Sequence, residues 1–295
     1  MAIERLRFRG SNGDTKYLDL SKALSLQTRK LHRQKMTYTV LGGFFVDGNG
    51  KRININTAPN TWPVKRSINR GFSVWRKMIA KTLSESEGMQ SGKWNDFKVY
   101  LNNAHGAGST MNPVDASNLD LYATTPEWDY STMTTEDPDS DPNNAPDQFE
   151  MHIVGPHASS GSGNDVNYGR VGLLQSWVDS RQTPDASEPN QTPAGTTDPL
   201  ANLFDSGDVA DDRMTIIEAE GDKPPYDIIK MFGNAQSAAN SNNLQRQSVA
   251  QSTTQVAVAM VHGFQAICGL VQLHFPENPG SWELVLDVES NGVKF

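Results

Sequence analysis

The stretches "VAVAMVHGFQAICGLVQLHF" (residues 256–275) and "SWELVLDVES" (residues 281–290) decide the fold class. In the second stretch, apolar and acidic side chains alternate, which is typical of a strand with one buried face. The apolar face holds Trp282, Leu284, Leu286 and Val288, the polar face holds Glu283, Asp287 and Glu289, and only Val285 departs from the pattern. The first stretch alternates too and contains polar residues. It predicts one long bent strand, or two strands that meet at Gly263, rather than a membrane span.

Upstream, the segment "MTYTVLGGFFVDGNGKRININT" (residues 36–57) contains two β-rich runs with a turn signal between them. Asp-Gly-Asn-Gly at residues 47–50 predicts that the two strands pair across a tight turn. Further short strands, separated by polar loops, bring the number to about nine. They are predicted at residues 97–103, 119–124, 149–155, 171–178 and 214–220.

The segment "WPVKRSINRGFSVWRKMIAKTL" (residues 62–83) predicts an amphipathic helix, within a helical insertion at about residues 63–87. Pro63 suits the first turn of a helix and Gly88 suits the residue that ends it. The apolar stripe consists of Ile68, Phe72, Trp75, Ile79 and Leu83. A second, basic face consists of Arg66, Arg70, Lys77 and Lys81.

These elements predict an all-β fold: an antiparallel β-sandwich of jelly-roll type, with long loop insertions and one early amphipathic helix. An immunoglobulin-like sandwich is disfavoured because the Cys…Trp…Cys spacing is absent. We expect a basic N-terminal segment at residues 1–35 and a single jelly-roll domain at residues 36–295. Long loops rich in Pro, Asp, Ser and Thr are expected at about residues 125–148 and 181–212.

Charged residues are distributed unevenly along the chain, whose net charge is −8. Residues 1–81 hold 17 Lys and Arg against four acidic residues, a balance of +13. Residues 82–295 hold nine basic and 30 acidic residues, a balance of −21. This asymmetry favours a polyanionic partner for the N-terminal third.

Candidate nucleic-acid-binding residues fall into three groups: the strand-like "RLRFR" (residues 5–9), "TRKLHRQK" (residues 28–35) and the basic face of the helix. The candidates are Arg5, Arg7, Arg9, Arg29, Lys30, Arg33, Lys35, Arg66, Arg70, Lys77 and Lys81. Such cations can neutralise phosphates whatever the base sequence, and the chain has no base-reading motif. In the alternative interpretation, the arginines of residues 5–9 pair with carboxylates of a neighbouring subunit.

An acidic loop places Asp137, Asp139 and Asp141 at alternate positions, where their carboxylates could converge on Ca²⁺. An EF-hand loop would need Gly and Glu where this chain has Pro142 and Gln148. A solvated acidic loop is therefore favoured, with calcium binding left open.

Other reactive groups give no recognisable site. The pair His152 and His157 has no companion cysteine or third histidine, so we expect no metal. Cys268 is the single cysteine, which excludes an intrachain disulfide and predicts a buried, unreactive thiol. We expect a protein that is not an enzyme, binds no cofactor and does not insert into a membrane.

The basic start "RLRFRG…TRKLHRQK", the β-rich body and the ending "VHGFQAICGLVQLHFPENPGSWELVLDVESNGVKF" give the chain a recognisable layout. It resembles jelly-roll capsid proteins of small, tailless icosahedral viruses, especially single-stranded DNA viruses related to smacoviruses and circoviruses. The resemblance implies a virion protein that assembles with copies of itself, encloses a single-stranded DNA genome and meets a host receptor through outer loops. Many such proteins begin with a dense arginine arm. Here a folded basic inner surface would replace it.

Two other classes remain open. A β-sandwich binding module for a receptor or a carbohydrate would use Trp62, Trp94 or Trp128 as stacking platforms. An enzyme on a β scaffold would need polar groups that converge in a pocket.

Overall fold

The computed structural model describes residues 2–11, 15–86, 92, 94–121, 128–134, 148–159, 168–180 and 244–295. The chain divides into two units, Met1–Trp177 with Phe232–Phe295, and Val178–Met231, and the sheets and sites below lie in the first. The helices are α1 (Leu20–Thr28), α2 (Trp62–Glu85), α3 (Asn103–Ala107) and α4 (Leu173–Asp179). The strands are β1 (Ile3–Ser11), β2 (Thr15–Asp19), β3 (Thr37–Asp47), β4 (Arg52–Thr57), β5 (Thr110–Met111), β6 (Thr132–Thr134), β7 (Gln148–His152), β8 (Ala158–Ser159), β9 (Tyr168–Gly172), β10 (Gln245–Gln251), β11 (Val258–Ile267), β12 (Leu270–His274) and β13 (Ser281–Glu289).

Most of these strands pair antiparallel in three sheets, which confirms the predicted all-β, antiparallel class. Sheet A has the order β1-β13-β3-β11. Sheet B has the order β10-β4-β12-β2-β5, in which the short β2/β5 pair is parallel. Sheet C has the order β6-β7-β9-β8, with a parallel β7/β9 pair.

When the inserted strands β5 to β9 are left aside, the strands β1 to β4 and β10 to β13 alternate between sheets A and B along the chain, except that β4 and β10 both lie in sheet B. The predicted pairing of β3 with β4 is therefore wrong, because β3 pairs with β13 and β11, and β4 pairs with β12 and β10. The reason lies in the turn. The Asp47 carboxylate accepts hydrogen bonds from the backbone N–H groups of Asn49 (3.1 Å) and Lys51 (2.9 Å), which holds a bend that leads from sheet A into sheet B.

The apolar stretch at residues 256–275 forms two strands, β11 and β12, but they do not meet at Gly263. The chain turns at Cys268 (φ 58°) and Gly269 (φ 66°), where it passes from sheet A to sheet B. Gly263 stays within β11, since a Cβ there would lie 2.7 Å from the backbone oxygen of Leu41. It allows a close approach to β3 and does not bend the strand.

The predicted faces of β13 are confirmed: Trp282, Leu284, Leu286 and Val288 are buried. Val285 points to the other face and is buried as well. It lies between Arg7 of β1 and Phe44 of β3 in the strand register, and these longer side chains flank it.

One hydrophobic core takes side chains from sheets A and B, including Leu6 and Leu284 of sheet A and Leu18 and Ile55 of sheet B. Each such burial stabilises the fold by about 1.5–3 kcal/mol. Residues 1–35, the predicted basic N-terminal segment, supply β1, β2 and α1 to the sheets and the core. The sequence predicted one early helix, α2, but α1 precedes it. The Asp19 side chain caps α1 by accepting a hydrogen bond from the Lys22 N–H (3.1 Å).

The remaining predicted strands have mixed outcomes. The segment 149–155 gives β7, whereas 97–103 is not a strand, although Phe97, Val99 and Leu101 are buried. The segment 171–178 becomes the end of β9 followed by α4, because Leu173, Leu174 and Trp177 bury one helical face.

Two regions are described incompletely or not at all. At 119–124 the described part holds a single bridge, between Asp120 and Val114. Residues 214–220 and the loop at 181–212 lie outside the described residues. The loop at 125–148 is described only at 128–134 and 148, and it includes β6.

Helix α2 covers nearly the whole of the predicted helical insertion. Ile68 and Trp75 are buried, and Phe72 stacks on Trp75 with ring centroids 6.1 Å apart. Phe97 packs edge-on against Phe72 at 5.7 Å. Past Trp75 none of the described α2 residues is fully buried, so the C-terminal half of the helix is more exposed to solvent.

Candidate nucleic-acid interface

The basic row on β1 is paired within its own chain. Arg5 makes a bidentate ion pair with Asp287 of β13 (Nε–Oδ1 2.7 Å, Nη2–Oδ2 3.0 Å). Arg7 pairs with Glu283 at 2.9 Å, and Arg9 lies 3.8 Å from the same carboxylate. The predicted projection of three guanidinium groups to one side holds. Their carboxylate partners, which the alternative interpretation placed on a neighbouring subunit, come from β13 instead.

This pairing lowers the capacity of β1 for phosphate. The hydrogen bond from Arg5 lowers the pKa of Asp287 below its usual value, so that carboxylate stays ionised at neutral pH. Three guanidinium groups therefore face two carboxylates, and a phosphate would have to compete with them. Exposed ion pairs of this kind contribute little to the stability of a fold.

The cations between α1 and β3 are divided between solvent and structure. Arg29 and Lys30 are exposed, with Arg29 in the left-handed conformation that ends α1. Arg33 pairs with the buried carboxylate of Asp96 at 3.0 Å. The Lys35 ammonium lies 4.3 Å from the centroid of the Phe72 ring, and partial burial lowers the pKa of Lys35. Thus Lys35 reaches α2, and Arg33 reaches the residue that precedes Phe97.

Helix α2 carries the largest exposed group of cations among the described elements. The predicted residues Arg66, Arg70, Lys77 and Lys81 are all exposed. Arg70 donates to the backbone oxygen of Ser176 (2.7 Å), and Lys81 lies 3.9 Å from Glu85. The sequence interpretation missed Lys65 and Arg76, each of which is directly adjacent to a predicted cation. Repeated basic pairs were the signal that could have identified them.

The tryptophans named for a binding module differ in what they contact. Trp94 is exposed and Trp62 is half exposed, with its ring edge-on to that of Trp177 at 5.3 Å. Trp128 donates its indole N–H to the buried Asp19 carboxylate (3.0 Å), and the Lys98 ammonium lies 4.8 Å from its ring centroid. Trp128 therefore makes structural contacts through both its indole N–H and its ring.

An open groove of about 440 Å³ lies beside β2, β12 and α3. Its lining is formed by Thr15, Lys16, Tyr17, Ala104, Gly108, Ser109, Gln272 and His274. This mixed lining would suit a small polar ligand.

The proposed ligands for metals do not assemble in the described ranges. His152 shares a hydrogen bond with the backbone oxygen of Pro156 (3.0 Å), and His157 accepts one from the Gly172 N–H (3.0 Å). In the part of the chain that the structure describes, no three His, Cys, Asp or Glu side chains gather as a metal site. Asp137, Asp139 and Asp141 lie outside it. Cys268 is buried, as predicted for an unreactive thiol.

Comparisons of the chain with family models, curated proteins and solved structures found no match. Within the described ranges, each helix is too short or too polar to cross a membrane.

Proposed function

We propose that this protein is a viral capsid protein, a jelly-roll β-sandwich that self-assembles into an icosahedral shell around a single-stranded DNA genome. The observation that carries the proposal is the strand order of sheets A and B. On this proposal the protein has no enzymatic activity, resides in the virion after assembly in the host cell, and meets a host receptor through its outer loops.

The strand order supports a jelly roll for a topological reason. A jelly roll is a double sheet of eight strands built from two Greek keys, so its chain passes repeatedly from one sheet to the other. The orders β1-β13-β3-β11 and β10-β4-β12-β2 contain eight strands that alternate in this way, around one shared core. The long insertion between β4 and β10 leaves this order intact, and it holds α2 and sheet C.

The charge distribution supports the capsid role among the many functions that one fold can have. A closed shell needs many identical contacts and, if it encloses DNA, a surface that neutralises phosphate. Residues 1–81 carry the balance of +13, and the exposed cations of α2 are the surface that we assign to the genome. The row on β1 is assigned to intrachain pairing.

The assembly state tests the proposal most directly. We expect the purified chain to elute as a large assembly in size-exclusion chromatography with light scattering. Negative-stain microscopy should reveal uniform closed shells, roughly tens of nanometres wide. A wild-type chain that forms only monomers or small oligomers under all assembly conditions would contradict the capsid proposal and favour the binding module.

If α2 binds the genome, its exposed cations should contact DNA phosphates, which gives a second test. Replacing Arg66 and Lys77 with glutamine should weaken the binding of single-stranded DNA. It should also lower the slope of log affinity against log salt by about 1.4, since each phosphate contact on a single strand contributes about 0.7. Fluorescence anisotropy with a labelled oligonucleotide at several salt concentrations measures both quantities.

The matched control replaces Arg5 and Arg9 on β1 with glutamine, which changes the net charge by the same amount. We expect this variant to keep the wild-type slope, because those guanidinium groups already face Asp287 and Glu283. Equal losses in the two variants would show that net charge, and not the surface of α2, governs binding.

A further inference from the structure

The two edges of sheet A differ in how they are protected. A free strand edge exposes unpaired N–H and C=O groups, and proteins usually guard it with charges. The β1 edge carries Arg5, Arg7 and Arg9 with their carboxylate partners. Among the described residues, the other edge, β11, carries no such guard of its own, because residues 247–276 contain no Lys, Arg, Asp or Glu.

The unguarded edge is also apolar and exposed. Val256, Val258 and Met260 are 61%, 52% and 77% exposed. Val258 lies opposite Val46, and Met260 lies opposite Phe44, both on β3 and both half-buried. An apolar patch therefore runs from β3 across β11 to the rim of the sheet, where large exposed apolar patches usually mark interaction sites.

The backbone of this edge is oriented for strand addition. The Asp47 N–H donates to the Ala257 oxygen (2.9 Å), so the carbonyl of Ala257 points toward β3. Carbonyls alternate along a strand, so those of Val258 and Met260 point away from β3. At His262 the N–H meets the Ser248 hydroxyl (3.2 Å), which ends the open stretch on that side. On the other side, the N–H of Val256 donates to the Thr253 hydroxyl and its oxygen accepts from the Thr253 N–H (both 2.9 Å), so the open stretch is residues 258–260.

We propose that this open stretch, with the adjoining apolar patch, binds the same stretch of a second copy of this chain about a twofold axis. The two β11 strands would pair antiparallel and join two A sheets. The proposal rests on the proposed self-assembly and names one contact through which it occurs.

The charges favour a second copy over other partners. Two chains of net charge −8 repel each other, so an uncharged surface favours a contact between copies, and β11 lies within a stretch of 30 residues (247–276) that contains no Lys, Arg, Asp or Glu. A twofold axis also brings identical groups together, which is tolerable for valine and methionine and unfavourable for a charged side chain.

Met260→Glu tests the contact, because a twofold axis places two new carboxylates near each other. We expect the association constant, measured by analytical ultracentrifugation, to fall by at least about tenfold. Leu119→Glu is the matched control, since Leu119 is also largely exposed (66%) and lies outside the patch. Circular dichroism and the unfolding midpoint must match the wild type in both variants.

A crosslinking experiment tests the symmetry independently of stability. Cys268, the single cysteine of the chain, is buried. The thiol introduced by Met260→Cys would therefore be the one that is accessible to oxidation. We expect oxidation to give a covalent dimer with Met260→Cys or Val258→Cys and not with Leu119→Cys. If none of the three variants gave more covalent dimer than the wild type after oxidation, the twofold pairing would be overturned.

The outcomes separate this contact from the capsid proposal. If the wild type forms shells and Met260→Glu forms them equally well, the β11 contact is wrong and the capsid proposal stands. If the wild type forms only a dimer, and Met260→Glu abolishes it, the contact stands and the capsid proposal fails. A strictly monomeric wild type contradicts both, whether or not the edge takes up an unrelated peptide.

Discussion

Lowering the pH from about 7 to about 4 is expected to destabilise the fold strongly, through His105 and His152. A histidine that is buried in the neutral form loses stability below its ordinary pKa of about 6.5, by up to about tenfold in the folding equilibrium constant per pH unit. Burial lowers the pKa of His105 to about 3 and that of His152 to about 4. Because both pKa values are depressed in the folded state, the stability is complete above about pH 6.5 and is lost as the pH falls toward them.

The contacts of His105 explain why the ring resists protonation. Its Nδ1 accepts a hydrogen bond from the Leu101 N–H (3.1 Å), and its Nε2 pairs with the Thr110 hydroxyl (2.9 Å). The ring stacks on Tyr17 at 4.6 Å between centroids. A proton on Nδ1 would break the bond to Leu101 and leave a charge in a buried aromatic cluster.

Urea unfolding at a series of pH values measures this effect. Between pH 6.5 and pH 4, we expect His105→Gln to lower the number of protons taken up on unfolding by about one, which makes the free energy of unfolding depend less steeply on pH. The variant itself is expected to be less stable than the wild type at pH 7. His262→Gln is the control, because His262 is exposed on β11. A wild-type free energy of unfolding that stays constant from pH 7 to pH 4.5 would contradict the prediction.

Gly43→Ala is expected to destabilise the protein by about 3 kcal/mol or more, or to prevent folding. A Cβ at Gly43 would lie 2.0 Å from the Val285 oxygen and 3.1 Å from the Leu286 Cα. Both atoms belong to the backbone of β13, in the middle of sheet A, so no side-chain rotation can relieve the overlap. The sheet itself would have to separate.

Gly48→Ala provides the matched control for this prediction. It is the same substitution in the bend that follows β3, and a Cβ there meets nothing within 4 Å. We expect its free energy of unfolding, measured by urea denaturation, to stay within about 0.5 kcal/mol of the wild type. Soluble yield serves as the measurement if Gly43→Ala does not fold. Equal midpoints for the two variants would show that the β3–β13 spacing adapts freely.

The periodic elements were predictable from the sequence because their patterns are local. The alternation in β13 predicted its buried face, and the stripe from Ile68 to Trp75 predicted the buried side of α2. The short apolar segment at 171–178 was ambiguous, because a run of that length fits a strand or a helix. Packing of Leu174 and Trp177 decided for the helix.

The sequence predicted which cations make up the candidate site, but not which of them are free of carboxylate partners and can bind phosphate. Spacing alone placed Arg5 and Arg9 on one side of a strand and Arg66 and Lys77 on one face of a helix. It could not reveal which of these cations face a carboxylate. That depends on β13, which is 282 residues away from β1 at the Arg5–Asp287 pair.

The sequence by itself therefore determined that β3, β4, β7 and β13 are strands, which face of β13 is apolar, and where positive charge accumulates. All of these follow from side-chain chemistry over a few neighbouring residues. Only the tertiary structure decided that β3 and β4 belong to different sheets, that the chain turns at Cys268 and Gly269, and that the arginines of β1 pair with carboxylates of β13. Those features depend on which distant segments pack together, and the free energy of such packing is distributed over the whole core and not encoded in any one stretch.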